Sequence, residues 1–194
     1  MHPLFYRPFQ FFAALKPLIL GLKINDSANE LILVKAILPL PPQISLFNDM
    51  SPNDQRHAIA VARTLQQTEY NNVALLQAAL LHDVAKSLGQ PIIHRVLIVL
   101  LESFTPAILT WLSFPASLKK TGSNLESTIR QISWWQRPFV IHAHHPSIGA
   151  AWAQAVACEP LAIRLIACHQ EKLTAIFSEE DKLLVALQWA DNLN

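Results

Sequence analysis

Residues 73–89 read Val-Ala-Leu-Leu-Gln-Ala-Ala-Leu-Leu-His-Asp-Val-Ala-Lys-Ser-Leu-Gly, an apolar run that ends in an adjacent histidine and aspartate, His82 and Asp83. A run this apolar belongs in a core, and a carboxylate in a core must meet a cation or several donors. Neighbouring residues project about 100° apart on a helix, so His82 and Asp83 can both reach one ion beside it. Lys86 follows four residues after His82 and three after Asp83, on the same side one turn later. The pattern predicts one helix over 73–88, ended by Gly89 in the left-handed position. Two metal ligands and an ammonium suited to phosphate then share one stripe.

The rest of the chain must supply the core and the remaining ligands. At 194 residues it is long enough for a full core without staples. Hydrophobic residues make up 52% and charged residues only 15%, against about 25% in an ordinary domain. The net charge of +1 and the lack of a basic block give no support to nucleic-acid binding. Two cysteines, Cys158 and Cys168, lack a Cys-x-x-Cys spacing and read as reduced thiols of a cytoplasmic protein. Eight histidines, several at the ends of apolar runs, are the compositional oddity.

Residues 1–50 read as an N-terminal helical arm, with helices over 9–22 and 30–37 and a Pro-rich connector at 38–42. Interruption by Arg7, Lys16 and three prolines, with no small-residue cleavage site, argues against a signal peptide. Ser51-Pro52-Asn53-Asp54 is a helix start, with a serine cap, proline in the first turn and an acid at the positive end. His57, Val61 and Leu65 then recur every four residues, placing His57 beside an apolar face, where alone it reads as a core histidine. The apolar stretch 96–114 contains Glu102, Ser103 and Pro106, and reads better as two buried helices meeting at Phe104-Thr105 than as a membrane contact. His94 reads as surface or structural, 115–123 as a loop, and Trp134-Trp135 as packing residues. His142, His144 and His145 lie within four positions, and Pro146 is placed to begin a new helix. His142 and His144 read as residues of ordinary packing or of hydrogen bonding behind a site. Near the end, Leu184, Leu187 and Asp191 are spaced by three and four, which puts an acid on an apolar face.

His82-Asp83-x-x-Lys86 resembles the hallmark of the HD superfamily of metal-dependent phosphohydrolases, in its HDIG-like form. His57 ahead of it, His145-Pro-Ser-Ile-Gly149 after it and Ala190-Asp191 near the end match that family in type and order. The resemblance covers residues 51–194, and implies one all-α HD domain of about seven to eight helices. It implies a divalent ion (Mn, Fe, Co, Ni, Zn or Mg) held by His57, His82, Asp83 and Asp191, a borderline N/O ligand set with room for water. His145 and His169 would hold a second ion, with Asp83 bridging. The family often carries a histidine pair at the latter site, whereas here His169 is flanked by Cys168 and Gln170.

The implied activity is hydrolysis of a phosphomonoester or phosphodiester, of a nucleotide by default, by attack of metal-bound hydroxide. Asp83 and Lys86 would be catalytic, and Lys86 and Arg137 would face the phosphate. No Gly-Tyr-Pro follows His169, which separates the chain from the cyclic-dinucleotide phosphodiesterases. Two alternatives remain open: a regulatory module that binds metal or nucleotide without turnover, and a membrane-surface protein using 96–114. The apolar surplus is compatible with a homodimer.

Overall fold

The computed structural model describes residues 27–89, 92–114 and 125–194. The expected helix over 9–22 and the loop over 115–123 lie outside them. Among the described residues there are ten α-helices, one 3-10 segment and no strand, so the all-α expectation holds. Eight of the helices lie beyond residue 51; the other two, in the arm, take the total above the expected seven to eight. These residues fall into two compact units, one of 27–87 with His145–Asn194, the other between Leu88 and His144.

The first unit holds α1 (Ser27–Ile37), α2 (Pro41–Asn48), α3 (Pro52–Gln67), α4 (Val73–Leu81), α9 (Pro160–Cys168) and α10 (Glu179–Leu193). Helix α4 is its centre. Every residue from Ala74 to Leu81 is buried, and α4 packs chiefly against α9 and α3, then against α10 and α1. A helix apolar on all sides must be surrounded in this way. Leu75, Leu80 and Leu81 meet Leu65, Leu165, Ile166 and Leu187, each fully or almost fully buried, at about 1.5–3 kcal/mol of burial apiece. Residues set apart as an arm contribute to the same core through Val34, Ile37, Leu38, Phe47 and Met50.

Local chemistry fixes the ends of these helices. Ser51 Oγ accepts from Asp54 N at 3.3 Å with Pro52 in the first turn, as the sequence predicts for α3. Asn72 caps α4 by accepting from Leu75 N at 3.0 Å. Ser178 and Asp181 form a reciprocal capping box at the start of α10. The buried amide of Gln77 donates to Ile37 O and accepts from Glu159 N, tying the end of α1 and the start of α9 to the central helix.

The structure departs from the sequence reading at α4. The α-helix stops at Leu81, His82 and Asp83 occupy a turn, and Val84–Leu88 is a 3-10 segment. The tighter 3-10 winding keeps residues three apart in line, which preserves the pairing of Asp83 with Lys86. Gly89 has φ +119° and ends the segment as expected.

The second unit comprises α5 (Ile92–Phe104), α6 (Pro106–Ser113), α7 (Leu125–Gln131) and the first residues of α8 (Arg137–Ala155), whose remainder belongs to the first unit. Pro146 does not begin a helix: α8 runs through it, without the hydrogen bond that a proline nitrogen cannot donate. Ile98, Leu109, Leu112 and Phe139 form the small core of this unit, with Leu101 against it. The break between α5 and α6 falls where predicted, but α5 is not a buried helix, since Ile93, Leu97, Leu100 and Phe104 are exposed. Among the described residues, no helix is long and apolar enough to cross a membrane.

Candidate metal centre

Seven of the residues singled out in the sequence, His57, His82, Asp83, Lys86, His145, His169 and Asp191, meet within the first unit. They come from α3, the turn and 3-10 segment after α4, α8, the end of α9 and α10. His57 Nε2 lies 2.8 Å from Asp191 Oδ1, which is 3.4 Å from His82 Nε2. His82 Nε2 is in turn 3.5 Å from Asp83 Oδ2. On the other side of the same carboxylate, Asp83 Oδ1 is 3.3 Å from His145 Nε2 and 3.8 Å from His169 Nε2. His145 and His169 place their Nε2 atoms 3.2 Å apart. Lys86 Nζ donates to Asp83 Oδ2 at 2.5 Å.

Two groups of side chains here could hold a metal ion: His57 with His82 and Asp83, and Asp83 with His145 and His169. They share Asp83, which offers one oxygen to each, as a carboxylate between two ions would. Asp191 adds to the first group through its contacts with His57 and His82.

The residues fit a divalent ion on two counts. First, His82 Nε2 is fully buried and has no hydrogen-bond partner, although two carboxylates face it. Second, imidazoles at about 2.0–2.1 Å from one ion place their nitrogens about 3 Å apart, close to the separation between His145 and His169. Two of the rings are aimed by one device. His82 is the residue that ends α4, and its Nδ1–H donates to Ala79 O, three residues back, at 3.0 Å. His169 ends α9, and its Nδ1–H donates to Ile166 O, again three back, at 2.7 Å. In the neutral form of each ring the lone pair is then on Nε2, pointing into the cluster.

Electrostatics follow from this crowding. Burial works against a charge on His82, but the carboxylates of Asp83 and Asp191 outweigh it and raise the ring to about 9. Burial likewise opposes the charge on Asp83, yet Lys86, His82 and His145 hold its carboxyl well below the usual range. Asp191 is also held well below that range, against partial burial, by the nearby His82 and by the hydrogen bond from His57. His169 goes the other way: burial, then the charges of His82 and His145, push it down to about 3.

Not every residue singled out joins the cluster. Arg137 belongs to the second unit, where its guanidinium donates to Arg130 O and Ile132 O. His142 lies 3.6 Å from Glu102, and His144 packs its ring edge-on against Phe114. His94 stacks edge-on against Phe139. Burial, then Glu171, raises the Cys168 thiol, which suits an inert cysteine. Two residues escaped the sequence reading. Gln170 brings its amide within 3.4 Å of His145 Nε2, and Gln188 donates to His169 O and Glu171 O, pinning that turn to α10. Gln170 is visible in the sequence only as a flank of His169; an isolated helical glutamine such as Gln188 gives no signal.

Gly149, the last residue of the His-x-x-x-Gly element, faces this turn. A Cβ there would meet Ile166 and Val84 side-chain carbons at 3.4 Å and His82 O at 3.8 Å. Comparison with family models, with curated proteins and with solved structures finds no match to this chain.

Proposed function

We propose that the chain is a metal-dependent phosphohydrolase of the HD superfamily, acting on a phosphomonoester or phosphodiester, with nucleotides as the default substrates. The observation that carries this reading is Asp83, which faces a histidine group on each oxygen and an ammonium on one of them. His57, His82, Asp83 and Asp191 hold one ion, and Asp83, His145 and His169 hold a second. When bound, the ions acidify water and polarise a phosphoryl oxygen.

The chain's own residues do the rest. His82, Asp83, His145 and His169 are buried and fix the ligand frame, whereas His57, Lys86 and Asp191 are only half-buried and form its open edge. Substrate reaches the centre across that edge. Lys86 swings from Asp83 Oδ2 to the phosphate, where its charge offsets the negative charge that develops in the transition state. Gln170 holds the His145 ring in place for this.

Elemental analysis of purified wild type beside Asp83→Ala is the first test, followed by a nucleotide and phosphate-ester panel with the metal found. Near-stoichiometric transition metal and turnover are expected in the wild type, with both lost in the variant. Lys86→Ala keeps its metal and loses turnover by about 10²-fold. No metal in the wild type after reconstitution with manganese, iron or nickel would reject the reading in favour of a module without turnover.

A further inference from the structure

One face of α5 is apolar and open. Ile93, Leu97, Leu100 and Phe104 recur at steps of four, three and four, which puts them within an arc of about 60°. All four are exposed, Ile93 by 80% and Phe104 by 78%. Packing of α5 does not account for them, because it packs inward through Ile98 and Leu101 instead. The same unit exposes Trp111 on α6 by 69% and Trp134, just ahead of α8, by 77%. Single exposed apolar residues are ordinary, but a helical stripe accompanied by two open indoles marks an interaction surface.

Charge indicates what that surface meets. The net charge of +1 conceals a division between the two units. In sequence, residues 88–144 carry five Lys and Arg against Glu102 and Glu126 alone. Residues 24–87 with 145–194 carry seven basic residues against twelve acidic ones. By sequence, the stretch 88–144 that carries the open apolar face is therefore the basic part of the chain. Two copies paired through that face would bring like charges together, whereas anionic headgroups complement it. Indoles favour the boundary between headgroup and acyl chain, and long basic side chains reach from there to the phosphates.

We propose that the exposed α5 stripe, with Trp111 and Trp134, is a peripheral membrane surface that docks on an anionic bilayer. The helix lies along the interface instead of crossing it, with its apolar face among the upper acyl carbons.

Vesicle flotation of the full chain tests this independently of the metal centre. The wild type should float with phosphatidylcholine vesicles containing phosphatidylserine about tenfold better than with phosphatidylcholine alone, and should weaken at ~0.5 M salt. Leu97→Ser combined with Leu100→Ser and Phe104→Ser should lose most of that binding while keeping wild-type helix content and metal stoichiometry. Tryptophan emission of the wild type should shift to shorter wavelength on adding anionic vesicles. No flotation and no shift would overturn the proposal, as would a triple variant that floats like wild type. A wild-type dimer that the variant converts to monomer, with no flotation of either, would also overturn it by assigning the face to a second copy.

Discussion

With no ion bound, the carboxylates of Asp83 and Asp191 favour the protonated ring of His82, and that proton governs how stability runs with pH. The folded value of about 9 lies above the ordinary 6.5, so this stabilisation is fully present below pH 6.5 and is lost as pH rises through about 9. His169 has the opposite sign: lowered to about 3, it favours the fold above pH 6.5, and that share is lost as pH falls towards 3. The depressed carboxyls of Asp83 and Asp191 stabilise above their ordinary 3.8 and lose that contribution on further acidification. Chelator-treated protein should therefore have its highest denaturant midpoint near pH 6.5 and decline on both sides. His82→Gln should flatten the alkaline decline; an unchanged slope would remove His82 as its cause. Asp83→Ala strips the partner from both Lys86 and His82, and should cost about 3–5 kcal/mol in chemical denaturation of the metal-free protein. At this scale much was legible, since an acid or histidine on an apolar helical face needs a partner. Which oxygen of Asp83 serves which ring was not, because that depends on the packing of four helices.

Helix ends were the better part of what sequence could say about elements. The cap at Ser51 and the positive φ of Gly89 follow from local rules of hydrogen bonding and sterics. Two boundaries did not. The central helix stops at Leu81 because His82 turns its ring back onto Ala79 O, and α8 continues through Pro146. Neither outcome is reported by the local propensities of these residues. Asn72→Ala should cost about 1 kcal/mol in thermal or chemical unfolding, and should leave metal content unchanged because the cap lies at the far end of α4. At Gly149, alanine should be accepted, since its Cβ sits at ordinary contact distance. Valine there should lower stability by about 1–3 kcal/mol by crowding Ile166 and Val84. Wild-type stability in the valine variant would mean that α8 packs less closely on the His82 turn than the structure has it.

For the molecule as a whole, the resemblance carried by His82-Asp83-x-x-Lys86 implied an all-α chain and the set of histidines and acids that the fold brings together. What it could not supply was the covering of each apolar face. Periodicity marks the stripe on α5 as apolar but says nothing of whether another helix lies over it, so the stretch was taken as buried. Binding of an ion should raise amide-exchange protection in α3, α4, α9 and α10, by about 2.7 kcal/mol at a free metal concentration 100 times Kd. No added protection in those helices would mean that the ion binds elsewhere. The two rings that close α4 and α9 have a consequence for descent. The bond that completes each helix end is also the bond that aims a ring into the cluster, so the two can be inherited together yet lost separately. His169→Asn can still donate to Ile166 O and leaves no charge stranded, since the ring it replaces is neutral. A lineage could therefore give up the second half of this centre and keep its architecture, whereas Asp83 has no such replacement.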